Sequence, residues 1–180
     1  KWHTRKQLFI GFIGGFHGRT IGSLSFTASK LVQRQYFSPL MPGIIHVPYG
    51  YCYRCPFKMT YPQCDCWCID FIDEFVLQKY ASPADVAAFV FEPIQGEGGY
   101  IVPPPEYFHK LKKLAEKYNI LMIADEVQSG IGRTGKWYAI QNWEVEPDII
   151  CSAKALASGL PIGATTASSR VMDWPPGSHA

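Results

Sequence analysis

Long hydrophobic runs, blocks of like charge and low-complexity segments are all missing from this chain of 180 residues. No stretch approaches the ~18 consecutive apolar residues that a membrane-spanning helix requires, so a soluble protein with no membrane partner is expected. The 17 basic and 15 acidic residues are interspersed. They therefore offer no charged surface to nucleic acid and leave a small molecule as the expected ligand. The apolar run from Leu8 to Phe16 follows a basic start, as in a secretory leader. His17-Gly18-Arg19 stands where a small-residue cleavage site belongs, so that reading is rejected and the cytoplasm is expected. The chain opens on Lys1 and ends in a connection-like segment, Pro175 to Ala180, which suggests part of a longer protein. What is present is 47% apolar and 18% charged residues, the balance of one globular domain with a hydrophobic core.

Val86 to Phe91 is a short continuous apolar run. From Pro104 to Tyr118, residues Tyr107, Leu111, Leu114 and Tyr118 recur at helical spacing. Pro104, Pro105 and Glu106 suit a helix start and Asn119 its end. The lysines at 110, 112, 113 and 117 fall mostly off the apolar stripe and read as a solvated face. Ile120 to Ala124 reads as a second buried strand. Strand, helix and strand over this distance make a βαβ unit, so the fold class is α/β, a mostly parallel sheet with flanking helices. Phe9 to Ile13 and Ile149 to Ser152 read as further strands. Residues 48–70, rich in Tyr, Pro and Cys, read as an excursion from the sheet.

Ligands of open parallel sheets sit beyond the carboxyl ends of the strands. There the sequence places Phe16-His17, then Glu92, then Asp125-Glu126, then Lys154. Taken singly, these are a core aromatic, a loop histidine, loop caps and a surface lysine. Together they are an amine, a carboxylate and a flat ring converging on one crevice. A pyridoxal cofactor needs that set: an amine for the Schiff base, a carboxylate to keep the pyridine nitrogen protonated, and a group to pack on the ring.

Five motifs in order strengthen this reading. They are Phe16-His17-Gly18-Arg19-Thr20; Glu92-Pro93-Ile94-Gln95-Gly96-Glu97-Gly98-Gly99; Ala124-Asp125-Glu126-Val127-Gln128-Ser129-Gly130 through Gly135; Pro147 to Ile150 leading to Ala153-Lys154-Ala155; and Gly159-Leu160-Pro161-Ile162-Gly163-Ala164. They closely resemble the class III aminotransferases of the acetylornithine, ornithine and 4-aminobutyrate type, within the fold type I pyridoxal-phosphate enzymes. The resemblance covers nearly the whole chain and implies a partial large domain, 1–180. It implies that Lys154 carries the cofactor and moves the proton, Asp125 pairs with the pyridine nitrogen, and Gln128 bonds the phenolic oxygen. Phe16 would stack on the ring with His17 beside it. Glu97 would be a gate that pairs with an arginine, and Glu92 would support the Asp125 and Gln128 network. It further implies pyridoxal 5'-phosphate as cofactor, an amino-acid donor and a 2-oxo acid acceptor as substrates, no metal in the site, and a homodimer or higher oligomer. The phosphate cradle, the partner-subunit threonine and the gate arginine would lie outside this chain.

Three rival readings remain. Gly130, Gly132 and Gly135 fit the dinucleotide pattern G-x-G-x-x-G, but Asp125 and Glu126 intervene after the strand and would repel a pyrophosphate. Cys52, Cys55, Cys64, Cys66 and Cys68 form a cluster that could hold zinc or iron, form a disulfide or stay as free thiols, so a non-enzymatic metal module is the rival from another class. Within the favoured family, an amino-acid racemase would use the same residues.

Overall fold

The computed structural model describes residues 1–178, so His179 and Ala180 of the expected connecting segment lie outside the described residues. Six strands form one sheet: β1 (Leu8–Phe12), β2 (Ile44–Val47), β3 (Val86–Phe91), β4 (Leu121–Asp125), β5 (Ile149–Ser152) and β6 (Ala164–Ala167). Their spatial order is β2-β1-β3-β4-β5-β6. All pairings are parallel except β5 with β6, which is antiparallel. The expected strands at 86–91 and 149–152 are found with those limits, and the other two shift by a residue. β2 and β6 were not read from the sequence. Each has four residues, and β6, Ala-Thr-Thr-Ala, is largely exposed and carries no apolar run.

The central strand explains itself. All six residues of β3, Val-Ala-Ala-Phe-Val-Phe, are buried, as expected of a parallel strand covered on both faces. Helix α3 (Tyr107–Tyr118) buries Tyr107, Phe108, Leu111, Leu114 and Ala115. Phe108 lies against Phe91 and Trp143, with ring centroids 5.0 Å apart in both pairs. The helix starts three residues later than Pro104 because Pro104 and Pro105 enter through a turn closed by Tyr107 N–H to the Pro104 carbonyl. It ends at Asn119, whose left-handed backbone (φ 51°) lets its N–H reach the carbonyls of Ala115 and Glu116. The short helix α1 (Ile21–Phe26) lies after β1, and Phe26 packs edge-on to Phe9.

The cysteine-rich excursion folds back as a helix, α2 (Trp67–Phe71), which continues to Leu77 with wider π-type winding. Cys66, Ile69, Ile72 and Val76 enter the main core. The lysine face of α3 is therefore not simply solvated. Lys110 bonds Asp65 at 3.2 Å and Asp70 at 2.7 Å, and Lys117 bonds Asp73 at 2.7 Å. Exposed pairs of this kind contribute little individually, about 0–1 kcal/mol, so apolar packing holds the excursion and the lysines set its orientation. No helix among the described residues is long and apolar enough to cross a membrane.

Candidate functional site

The carboxyl ends of β1, β3, β4 and β5 open on one side of the sheet. Each delivers one of the expected residues. Asp125 is the last residue of β4 and pairs in register with Cys151 of β5, so the turn that follows β5 brings Lys154 towards it. Lys154 opens a short 3₁₀ turn with φ 42°, a left-handed conformation that is costly for a residue with a Cβ, about 1–3 kcal/mol. Its ammonium donates to the Gln128 amide oxygen at 2.6 Å.

His17 comes from the loop after β1 and is held to Asp125, Nδ1 to Oδ2, at 2.7 Å. Both side chains are largely enclosed, 5% and 13% exposed. The Val127 backbone N–H donates to the other carboxylate oxygen, Oδ1, at 3.1 Å. With Nδ1–H donating to Asp125, Nε2 of His17 is a bare acceptor, and it is buried without a partner among the described residues. This histidine therefore sets the orientation of Asp125, a contact that the sequence did not disclose. The two residues are 108 apart, and only the parallel sheet places their loops side by side.

Glu92 follows β3 and is 4% exposed. One carboxylate oxygen accepts the Phe16 backbone N–H at 2.7 Å and the other accepts the Gly96 N–H at 3.0 Å. Its influence on Asp125 and Gln128 thus runs through backbone: it fixes the loop of Phe16 and the loop on which Gln128 rests. A Cβ on Gly96 would lie 2.5 Å from the Gln128 amide nitrogen. Gly96→Ala is therefore expected to push Gln128 off Lys154, and a crystal structure of the variant with the Lys154 to Gln128 bond intact would refute that contact.

Glu126, 1% exposed, serves the other side. It accepts the Ser129 hydroxyl at 2.6 Å and the Ile140 N–H at 2.8 Å, which ties the Gln128 loop to the core. Burial raises the carboxyl pKa of both Glu92 and Glu126 above the usual 4.5. Folded molecules then hold these protons more tightly than unfolded ones. The contribution to stability is complete below the ordinary carboxylate range and is lost as pH rises through the raised values. The two glutamates should respond differently to amidation. In Glu126→Gln the amide oxygen can accept from Ile140 and the amide nitrogen can donate to Ser129, so folding should survive with a flatter pH dependence. In Glu92→Gln an amide N–H must face a backbone N–H, which should cost about 1–3 kcal/mol. Urea melts of both variants between pH 4 and 7 check this, and equal losses would contradict the bonding scheme.

Glu97 is exposed and pairs with Lys30 at 3.0 Å. That contact, first, holds its carboxyl below the usual range, aided by the nearby Lys154 and Arg19 charges. The partner within this chain is thus a lysine 67 residues away, where the resemblance implied an arginine lying outside the chain. Phe16 is half-buried, with the Arg19 guanidinium 5.8 Å from its ring centroid. A cavity of about 580 Å³ runs along Lys154, Gln128, Val127, Gly96, Tyr100 and Arg133. Val127, Tyr100 and Arg133 were not singled out from the sequence. The position of Val127, between the Asp125-Glu126 pair and Gln128, was the available signal. The glycines 130, 132 and 135 lie in successive turns and no α-helix opens from them, which removes the dinucleotide reading.

The class III aminotransferase model matches residues 1–180. The chain belongs to the class III aminotransferase family. An alanine/serine racemase of Pyrococcus horikoshii is 39% identical over 99% of this chain and 38% of its own length. A leucine/methionine racemase of Thermococcus litoralis is 40% identical over 99% of the chain and 40% of its own length. An amine transaminase from an uncultivated Pseudomonas species, solved in its pyridoxal-phosphate-bound form, superposes with TM-score 0.87 at 34% identity, covering 93% of this chain and 38% of that one. An (S)-enantioselective omega-transaminase from Thermomicrobium roseum gives TM-score 0.87 at 32% identity over 96% and 39% of the two chains. The fold is accordingly that of fold type I transaminases, and the chain spans about two fifths of the length of these relatives. Pyridoxal phosphate is the cofactor that the class III family implies.

Proposed function

We propose that the protein containing this chain is a pyridoxal-phosphate-dependent aminotransferase, moving an amino group from an amino acid or ω-amino acid to a 2-oxo acid. The chain is part of its large cofactor-binding domain. The observation that carries the reading is the placing of two bonded pairs, Lys154 with Gln128 at 2.6 Å and His17 with Asp125 at 2.7 Å, at the carboxyl ends of parallel strands of one sheet. We further assign it to the cytoplasm as a homodimer or larger oligomer.

The residues present suit the group. Lys154 offers an accessible amine beside a cavity, and the buried Nε2 of His17 and hydroxyl of Ser152 are polar atoms without partners among the described residues. When bound, pyridoxal phosphate supplies an aldehyde that condenses with an amine and a protonated ring that accepts the negative charge left when a C–H proton departs. Lys154 would hold the cofactor, and its amine would carry the proton away from the substrate carbon and return it. Asp125 would pair with the pyridine nitrogen. Its two oxygens each accept one bond inside the protein, and each carboxylate oxygen has a second lone pair for an N–H. His17 keeps that carboxylate aimed. Gln128 uses its oxygen for Lys154, and its N–H₂ would be left to donate to the phenolic oxygen. Phe16 would pack against the ring, Glu92 fixes the Phe16 backbone, and Glu97 would guard the entry of a carboxylate.

A second reading is amino-acid racemisation, favoured by the two relatives named as racemases. The same Lys154 chemistry serves it when the proton returns to the opposite face of the carbon. The intact enzyme, loaded with cofactor and given an amino donor alone, decides between them. Transamination converts the cofactor to its amine form and releases a 2-oxo acid. Inversion of the donor without that conversion supports the racemase reading and overturns ours.

A further inference from the structure

The cysteine cluster plays no part in the proposed chemistry, yet the fold gathers it. Cys52 and Cys55 from the 3₁₀ turn after β2, and Cys64, Cys66 and Cys68 around the start of α2, all line one cavity of about 20 Å³. A space that small holds roughly one water molecule, and the five cysteines border it. All are free thiols, and no three of the His, Cys, Asp and Glu side chains among the described residues are placed to share a metal ion. The arrangement therefore favours chemistry between pairs.

We propose that Cys52 and Cys64 are an oxidation site that closes to an intramolecular disulfide when the protein meets a small-molecule disulfide. Cys52 is exposed, so an oxidant reaches it first, whereas Cys66 is buried in the core. Cys64 is half-buried and lines the same cavity; burial first, then the neighbouring Cys64 and Cys55, raises the Cys52 thiol as well, without the large rise seen at Cys66 and Cys68. Burial pushes the Cys66 and Cys68 thiols up to about 11 and about 12, which leaves them protonated and poor nucleophiles. The Cys52 thiolate attacks the reagent disulfide and forms a mixed disulfide. The Cys64 thiolate then displaces the remaining reagent thiolate. Two protons and two electrons leave the protein, and the oxidant becomes two thiols.

The cross-link would tie the 3₁₀ turn to the start of α2 around Tyr49. Tyr49 lines the same cavity and donates its hydroxyl to the carbonyls of Glu92 and Pro93, 3.0 Å each. The bridge thus fastens the wall behind the Glu92 loop.

The test treats the intact enzyme with glutathione disulfide, alkylates the remaining thiols, and maps tryptic peptides. The cleavage sites Arg34, Arg54, Lys58 and Lys79 separate Cys52, Cys55 and the Cys64 group into peptides 35–54, 55–58 and 59–79. The expected result is a 35–54 to 59–79 cross-link fragmenting to Cys64, with Cys55 and Cys151 still alkylated. The oxidised protein should melt higher than the reduced one, and Cys52→Ser, at an exposed position, should lose both effects. Six alkylated thiols after oxidation, a Cys52 to Cys55 link, or stoichiometric metal in the purified enzyme would each overturn the proposal.

Discussion

Lys154→Ala in the intact enzyme is expected to lower turnover roughly ten-thousand-fold, the upper range for loss of a positioned proton-transfer group. It should also abolish borohydride-stable attachment of pyridoxal phosphate, which peptide mapping of the wild type should place on Lys154. The side chain is exposed and its one bond is to Gln128, so stability should change by no more than about 0.5 kcal/mol. Folded protein with no cofactor label is thus the expected state. Near-normal turnover, or wild-type labelling on another lysine, would sink the mechanism. The left-handed backbone at Lys154 offers a related measurement. Lys154→Gly relieves the φ 42° strain and should melt higher than Lys154→Ala while being equally inactive.

Asp125→Asn should behave differently. Attachment at Lys154 is kept, while kcat falls about 10²–10³-fold, as when a group that stabilises developing charge is removed. The amide oxygen can still accept the Val127 N–H, but the amide nitrogen then faces His17 Nδ1. The imidazole must move its proton to Nε2, where no partner waits, at a cost of about 1–3 kcal/mol. The variant should therefore be less stable and slower, and His17→Ala made in it should cost less than the same change in wild type. Single-turnover kinetics with thermal melts of the two single variants and the double variant check this. Unaffected kcat in Asp125→Asn would remove Asp125 from the mechanism, and additive losses would remove its coupling to His17.

Much of the fold is written locally. The all-apolar run of β3, the helical stripe of Tyr107, Leu111 and Leu114, and the Asn119 stop are short-range signals, and the structure follows them. β2 and β6 are the two edge strands and escaped notice, β6 because Ala-Thr-Thr-Ala is largely exposed and carries no apolar run. The helix beginning at Trp67 was hidden by the cysteine, tyrosine and proline content of its neighbourhood. Lys110 and Lys117 read as solvent-facing because their carboxylate partners lie about forty residues upstream.

The identities of the chemical groups, and their places just past four strands, were determined by the sequence alone. The strand periodicity that marks a parallel sheet also marks where its carboxyl ends lie. Only the tertiary structure decided how those groups are joined. That His17 holds Asp125, that Glu92 works through the backbone of Phe16 and Gly96, that Lys30 meets Glu97, and that five cysteines share one cavity are contacts between segments far apart in the chain. Such contacts depend on the register and order of strands, which no local pattern encodes, and they set the orientation on which the chemistry depends.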